Sequence, residues 1–374
     1  MKIVIIAGFA RSLLHFRSEL IKGLVAQGHE VVTLAPEPGY EMPLQAIGAG
    51  YYTIPLKRTG MNPFRDVMTV LFLWRKLCKL KPDLVLSYTI KPVIYGSIAA
   101  KLAGTGKIYS IITGLGYVFT GMSIKQRLLS FLVCPLYRGA LRCNHKVFFQ
   151  NKDDKMEFCR MRILELAEKG VVVNGSGVDT SFFVQSEVSD NPLCFLLIGR
   201  LLWEKGIGEY VEAARALKSS YPAVNFQLLG PMDSNPSARG EDVLDAWRVE
   251  GAIDYLGVTD DVRPFIAKSS VYVLPSYREG TPNSVLEAMS MGRPIVTTDV
   301  PGCRETVRDG DNGFLVPPRD VSSLKKAMER FILQPELLDI MGRRSREIAV
   351  DKYDVHKVKA VMLRTMGLAD EARI

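Results

Sequence analysis

The chain has 374 residues, 47% hydrophobic and 24% charged, which exceeds one ordinary domain and suits two that each bury a core. Forty-eight Lys and Arg against 40 Asp and Glu leave a formal charge of +8, compatible with an anionic lipid surface, a phosphate-rich substrate, nucleic acid or plain surface charge. The six cysteines form no C-x-x-C pair and the four histidines no H-x-x-x-H, so reduced thiols in a cytosolic protein are expected, without a disulfide framework or a transition-metal site.

Lys2 followed by Ile3-Val4-Ile5-Ile6-Ala7 carries no small-residue cleavage pattern and runs directly into Arg11, Arg17 and Glu19. It is therefore expected to be a first strand and not a signal peptide. No uncharged apolar run approaches the roughly 18 residues that span a bilayer, so any membrane contact is expected to be peripheral. Short apolar runs at 2–7, 30–35, 51–54, 84–87, 107–113, 146–149 and 171–173 alternate with helical patterns at 17–26, 66–80, 93–102 and 124–141. This alternation predicts parallel βαβ units, and the uniformly apolar strands predict a sheet covered on both faces. Residues 180–192 are polar and irregular and are expected to form a linker. The alternation then restarts, with strands at 193–198, 225–229, 253–255, 271–274 and 294–298 and helices at 207–217, 240–249, 262–267 and 284–291. A helical tail follows at 321–333, 335–349 and 356–366. Two doubly wound α/β lobes are expected to hold a ligand between them, at the carboxyl ends of their strands.

The stretch "LPSYREGTPNSVLEA" (274–288) concentrates the chemistry. A strand ends at Leu274, a Gly/Pro loop follows, and a helix begins near Asn283. Backbone N–H groups of Gly280, Thr281, Asn283 and Ser284 are expected at that helix start, suited to an anionic or oxygen-rich ligand; Pro282 has no N–H to offer. Glu279 in the loop and Glu287 one turn into the helix can face one cleft, though carboxylates there can equally be simple partners of the helix dipole.

Glu279 and Glu287, with seven residues between them within "SYREGTPNSVLEAMSMGRPIV", resemble the signature of the family 4 retaining glycosyltransferases. The resemblance extends to "IGRLLWEKG" (198–206), "VVNGSGVDTSFF" (172–183) and "VPGCRETVRDGDNGFLVPPRD" (300–320), in the same order and over nearly the whole C-terminal lobe. It implies the GT-B fold, two Rossmann-like doubly wound domains facing a central cleft. The expected division is an acceptor and membrane domain over 1–184 and a nucleotide-sugar donor domain over 185–354, with a last helix at about 355–374 packing back on the first domain. It implies that Arg200 and Lys205 clamp the donor diphosphate, that Glu287 holds the ribose hydroxyls and that Glu279 contacts the donor sugar. Gly199, Gly280, Thr281, Pro282 and Asn283 would line the donor site, and Gly257 and Val258 would meet the base. A guanidinium and an ammonium at a strand-to-helix loop also suit, on chemical grounds alone, the charge that develops on a leaving phosphate.

The N-terminal lobe departs from the family pattern. "AGFARSLLHFRSEL" (7–20) replaces the usual Gly-Gly turn, and it is no G-x-G-x-x-G dinucleotide fingerprint. "TGLGYVF" (113–119) carries no His where many relatives have one, which leaves the group assisting the acceptor open. "HFR" (15–17), "NPF" (62–64), "GLG" (114–116) and "DSNPS" (233–237) together are similar to bacterial enzymes that add an N-acetylhexosamine to an undecaprenyl-diphosphate-linked sugar. On that basis His15, Arg17, Lys91 and Gly114 are acceptor-side candidates. His15 as a satisfied core histidine and Lys91 as a solvated lysine remain open readings. The stretch 123–146 combines apolar residues with Lys125, Arg127, Arg138, Arg142 and Lys146. It is expected to lie on an anionic bilayer, the alternative being a helix packed on its own sheet.

Asp309-Gly310-Asp311 is the one tight D-x-D worth weighing, and its Gly/Asn setting reads as a turn. No metal and no cofactor beyond a UDP-sugar substrate is expected, and the spread-out basic residues give no nucleic-acid groove. The expected activity is a retaining transfer of a sugar from UDP to a polyprenyl-diphosphate-linked acceptor, by a peripheral protein on the cytoplasmic face of the cell membrane. Two rivals are a nucleotide-sugar hydrolase or epimerase of the same fold and a non-catalytic nucleotide-sugar or nucleic-acid binding protein.

Overall fold

The computed structural model describes residues 1–57, 60, 62–115, 124–188, 192–232 and 241–369. Gly116, the 233–237 motif, and the side chains of Lys125 and Arg127 lie outside the described residues. The chain divides into two units, Met1–Gly177 with Val355–Ile374, and Val178–Asp354.

The first unit is a seven-stranded parallel sheet of β1 (Lys2–Ile6), β2 (Glu30–Ala35), β3 (Ala49–Thr53), β4 (Leu84–Tyr88), β5 (Lys107–Ile112), β6 (Lys146–Phe149) and β7 (Gly170–Val172). The strand order is β3-β2-β1-β4-β5-β6-β7. Side chains alternate between the faces, so the apolar run of β1 feeds two cores. Ile3 and Ile5 pack with Leu13, Leu20 and Leu24 of helix α1 (Arg11–Ala26) and with Val358 and Met362 of the helix Val355–Met366. Val4 and Ile6 pack on the other face with Leu73 and Leu77 of the helix Pro63–Leu80 and with Ala99 and Ala100 of the helix Ile90–Leu102. The helix Pro63–Leu80 starts on Asn62, whose side chain accepts the Arg65 N–H at 3.2 Å. Thr89, joining β4 to its helix, has φ 70° and ψ 159°. A non-glycine residue there costs about 1–3 kcal/mol and persists only where its surroundings impose it.

The second unit is a six-stranded parallel sheet of β8 (Cys194–Ile198), β9 (Asn225–Leu229), β10 (Asp254–Tyr255), β11 (Val271–Leu274), β12 (Ile295–Thr298) and β13 (Gly313–Val316). Its order is β10-β9-β8-β11-β12-β13. A single core joins these strands to the helices Ile207–Ser220, Asn283–Ser290, Val321–Leu333 and Glu336–Ile348.

The stretch expected as a linker belongs to this second unit, and so do residues 178–184, which the sequence placed in the first domain. The reason is a set of backbone ties that polarity alone does not reveal. Val178 N–H donates to Tyr353 O at 2.8 Å. Arg346 donates to Thr180 O and Phe183 O, each at 3.0 Å, and Arg293 to Ser186 O and Glu187 O at 2.9 and 3.0 Å. The chain instead crosses at Gly177 and Val355. These lie so close that a Cβ on Gly177, whose φ is +78°, would stand 2.6 Å from Val355 Cα.

Candidate active site

In the second sheet the chain winds outward in both directions from β8, so β8 and β11 flank its topological switch point, where a crevice opens at the carboxyl ends of the strands. The predicted donor residues cluster along that edge. Gly199 and Arg200 follow β8 directly, and a short 3-10 turn (Trp203–Lys205) then presents Lys205. Gly206, at φ +69°, ends the turn and starts the helix Ile207–Ser220. A Cβ there would collide with the Pro275 carbonyl, so glycine lets the Lys205 loop press against the end of β11.

From the other side, β11 runs into the loop carrying Ser276 and Glu279. The Glu279 carboxylate is ion-paired to Lys205 and also accepts the Ser276 hydroxyl at 2.7 Å. Its backbone N–H donates to Pro301 O at 3.0 Å, and Gly302 at φ +84° lies against the Glu279 and Gly280 carbonyls. Thr281 and Pro282 are buried and lead into the helix Asn283–Ser290, whose first turn has no side-chain cap. The uncapped start leaves the positive end of the helix dipole facing the crevice. The Ser284 hydroxyl and the Tyr272 hydroxyl both reach Ile198 O, at 3.3 and 3.0 Å, tying that helix and β11 to the end of β8.

Glu287 sits one turn into the same helix; its backbone carbonyl accepts the Met291 N–H at 3.1 Å, while its carboxylate makes no hydrogen bond to the described residues. Burial pushes its carboxyl up to about 7, because no nearby donor or cation offsets the loss of water. A half-ionised carboxylate without partners suits a ligand that brings its own hydroxyl donors. Gly257 follows β10 with φ +77°, and its carbonyl accepts the Gly230 N–H at 2.9 Å; Val258 beside it is exposed. The structure therefore brings Gly199, Lys205, Glu279, Gly280, Thr281, Pro282, Asn283, Glu287 and Gly257 to the carboxyl edge of one sheet. Ser276 and Gly302 were not singled out from the sequence, although both stand within the quoted motifs.

The four acceptor-side candidates lie in the first unit and do not share one environment. His15 is on the exposed face of α1, its Nε2 accepting from Arg11 Nε at 3.0 Å, so it is not a core histidine. Arg17, two residues on, is buried with its guanidinium carbon 5.3 Å from the centre of the Tyr88 ring. Lys91 is neither solvated nor free, because Asp66 pairs with it at 3.0 Å. Gly114 follows β5 with φ +127°. Of the D-x-D pair, Asp309 accepts the Leu315 N–H at 2.9 Å and Asp311 pairs with Arg344 at 3.0 Å, both within the turn and its supporting helix.

The helix Ile124–Arg142 packs on its own unit along one face and is exposed along another. Val133, Tyr137, Ala140 and Leu141 pack into the first unit's core, while Phe131, Leu132 and Leu136 are exposed. Among the described residues no helix is long and apolar enough to cross a membrane.

Comparison with known proteins agrees with this architecture. Residues 16–150 match the description "Glycosyl transferase 4-like domain" and residues 192–334 match "Glycosyl transferases group 1". The chain is 30% identical over 368 residues, 95% of each chain, to the N,N'-diacetylbacillosaminyl-diphospho-undecaprenol alpha-1,3-N-acetylgalactosaminyltransferase of Campylobacter jejuni. It is 25% identical over 319 residues to the UDP-Gal:alpha-D-GlcNAc-diphosphoundecaprenol alpha-1,3-galactosyltransferase of Escherichia coli, covering 82% of this chain and 80% of that one. Among solved structures, Anabaena HepE in complex with UDP superposes with a TM-score of 0.79 at 17% identity, covering 99% of this chain and all of that one. Sucrose-phosphate synthase from Thermosynechococcus elongatus gives 0.81 at 17% identity, covering 97% and 98%. At that identity the two structures speak to fold alone. The chain belongs to this family of GT-B glycosyltransferases, with a glycosyl transferase 4-like domain followed by a group 1 domain.

Proposed function

We propose that the chain moves a sugar, an N-acetylhexosamine, from its UDP derivative to a saccharide carried on a polyprenyl diphosphate, during assembly of a bacterial surface glycan or glycoprotein glycan. The observation that carries this reading is the likeness along the whole chain to a Campylobacter enzyme whose name gives that transfer. The Escherichia relative supports it, its name giving UDP-Gal as donor and again a diphosphoundecaprenol acceptor.

In this reading the donor lies along the carboxyl edge of the second sheet. Arg200 and Lys205 take the diphosphate oxygens, so Lys205 exchanges part of its pairing with Glu279 for phosphate. Glu279 then turns to the hydroxyls of the donor sugar. Glu287 accepts both ribose hydroxyls, and the backbone at Gly257 and Val258 meets the base. The amides at the start of the helix Asn283–Ser290 and the two cations supply positive potential where other transferases use a metal, so no divalent cation is required. Retention proceeds on one face of the sugar. The bond from the anomeric carbon to the phosphate oxygen breaks and the bond to the acceptor oxygen forms, while the departing phosphate oxygen takes the acceptor's proton. Arg200 and Lys205 stabilise the charge that gathers on the leaving diphosphate.

The protein works peripherally on the cytoplasmic face of an anionic membrane. Two helices support this. Phe64, Val67, Met68 and Phe72 form a stripe at helical spacing on the helix Pro63–Leu80, with Phe64 86% exposed, and Arg65, Arg75 and Lys79 are exposed beside it. The helix Ile124–Arg142 adds Phe131, 75% exposed, and it contains no acidic residue. Apolar stripes with basic flanks are what an anionic bilayer surface attracts.

The test is release of UDP from a panel of UDP-sugars, with and without a polyprenyl-diphosphate-linked sugar and without added metal. Acceptor-dependent release from one UDP-N-acetylhexosamine is the expected result. Equal release without acceptor would mark a hydrolase or epimerase, and none at all would refute the donor assignment.

A further inference from the structure

Three features of the first unit coincide at the carboxyl ends of two neighbouring strands. The first is topological. The strand order β3-β2-β1-β4-β5 reverses between β1 and β4, which makes their carboxyl ends the crevice in which a doubly wound sheet receives a ligand. The second is strain. Thr89, leaving β4, holds a backbone conformation reserved almost entirely for glycine, and its hydroxyl fills the notch opposite Gly8, where a Cβ would stand 2.5 Å from Oγ1.

The third is Arg17. The residue is 3% exposed, and among the described residues its Nη1 donates only to Phe16 O at 3.3 Å and its buried Nε has no partner. No carboxylate among the described residues pairs with it. Its neighbour Tyr88 is neutral, its hydroxyl 2.8 Å from that of Ser12, and Ser12 in turn donates to Phe9 O at 2.5 Å. Because the Ser12 proton is spent on Phe9, Tyr88 donates to Ser12 and offers Arg17 only its ring face. Glu37 accepts the Ala10 N–H at 2.7 Å, and Lys91 is paired with Asp66. Burial without a counter-charge lowers the Arg17 pKa. Two arginines of the second unit act as struts, Arg346 part-buried and Arg293 buried, with its Nε and Nη1 also without partners among the described residues but its Nη2 bound to backbone oxygens. Arg346 donates to Thr180 O, Phe183 O and Ser290 O, and Arg293 to Ser186 O and Glu187 O.

A buried guanidinium that is neither paired nor used as a strut is expensive unless a ligand supplies the missing anion. Its planar fork matches the oxygens of a phosphate. We propose that Arg17 is the centre of an anion subsite at the switch point of the first unit, flanked by Ser12, Tyr88 and the Gly8–Thr89 notch, and that the anion is the diphosphate of the lipid-linked acceptor. The identity of the acceptor rests on the function proposed above; the anion subsite does not.

The two parts are tested separately. Inorganic pyrophosphate is the probe for the subsite, in an Arg200→Ala, Lys205→Ala background so that the second unit does not compete for it. Pyrophosphate is expected to raise the melting temperature of that protein. Adding Arg17→Met is expected to weaken its binding by at least roughly tenfold, the scale of one lost charge-assisted hydrogen bond, and Arg17→Lys to recover part of it. In the otherwise unaltered enzyme, assayed in neutral detergent without phospholipid, Arg17→Met is expected to raise KM for the diphosphate-linked acceptor by a similar factor. KM for the UDP-sugar should stay unchanged. Without any anion the Arg17→Met protein should melt no lower than the parent, because the substitution removes an uncompensated charge. Undiminished pyrophosphate binding in Arg17→Met overturns the proposal, and so does a protein that melts well below the parent or fails to fold, which would make Arg17 a strut. Loss of pyrophosphate binding with an unchanged acceptor KM keeps the subsite and overturns its assignment to the acceptor.

Discussion

Replacing Glu287 by Gln tests the electrostatics of the donor edge. The carboxyl rises from its ordinary 4.5 to about 7 because it is buried without a partner. A raised acid means that the folded protein keeps a proton which the unfolded chain has released. Stability is therefore lost as pH climbs from about 4.5 through about 7, and is level above that. At about 1.4 kcal/mol per pKa unit the penalty reaches about 3 kcal/mol at pH 8, an upper bound because the residue is only part-buried by surface area. Glu287→Gln removes the ionisation but keeps the shape. The variant should unfold at higher denaturant than the parent at pH 8, and the gap should shrink by about 2 kcal/mol on going to pH 5. The assay is hydrogen exchange of β11 and β12 amides, which reports opening of the second unit specifically. The same substitution should weaken UDP binding above pH 7, where the carboxylate form is proposed to accept the ribose hydroxyls, and flatten the strengthening with pH expected of the parent. Parallel stability profiles for the two proteins from pH 5 to pH 8 would refute the reasoning.

Other sites give sharper readouts of single contacts. Gly302→Ala places a Cβ against the Glu279 and Gly280 carbonyls in a backbone region that disfavours it, and should cost about 1–3 kcal/mol by denaturation while lowering kcat as the Glu279 loop shifts. Lys205→Ala removes the ion-pair partner of Glu279 and one of the two cations proposed to meet the leaving diphosphate, and kcat for sugar transfer should fall about 10²–10³-fold. Phe64→Ser, Met68→Ser and Phe72→Ser together should weaken sedimentation with phosphatidylglycerol vesicles at least roughly tenfold while turnover of a detergent-dispersed acceptor holds. Vesicles of phosphatidylcholine alone should bind the parent weakly, and salt should release it from the anionic ones.

Most strands were legible because a sheet covered on both faces demands unbroken apolar runs, as in Ile3-Val4-Ile5-Ile6 and Phe195-Leu196-Leu197-Ile198. The helix Lys152–Arg160 was missed because only Phe158 is a buried apolar residue in it, although Asn151 capping the Asp154 N–H at 2.7 Å was a readable start signal. The strand β13 was hidden as four residues after a Gly/Asn turn. The true crossing at Gly177 was illegible for another reason. Residues 180–187 have the polarity of a linker, and what fixes them is arginines more than a hundred positions away. The edge at the carboxyl ends of the second sheet was visible because most of its residues fall in two short motifs, 198–206 and 274–288, with Gly257 and Val258 outside them. Arg17 was singled out only through the short HFR motif, and its burial against Tyr88 was not legible because it is a product of the sheet order, which pairing alone decides.

The most direct measurement is the mass and anomeric configuration of the lipid product formed from a UDP-N-acetylhexosamine and a polyprenyl-diphosphate-linked sugar in the presence of a chelator. A product heavier by one N-acetylhexosamine residue, with the α-configuration of the donor retained, is the predicted result. An unextended lipid with free sugar in solution, an inverted linkage, or a reaction abolished by the chelator would contradict the proposed chemistry.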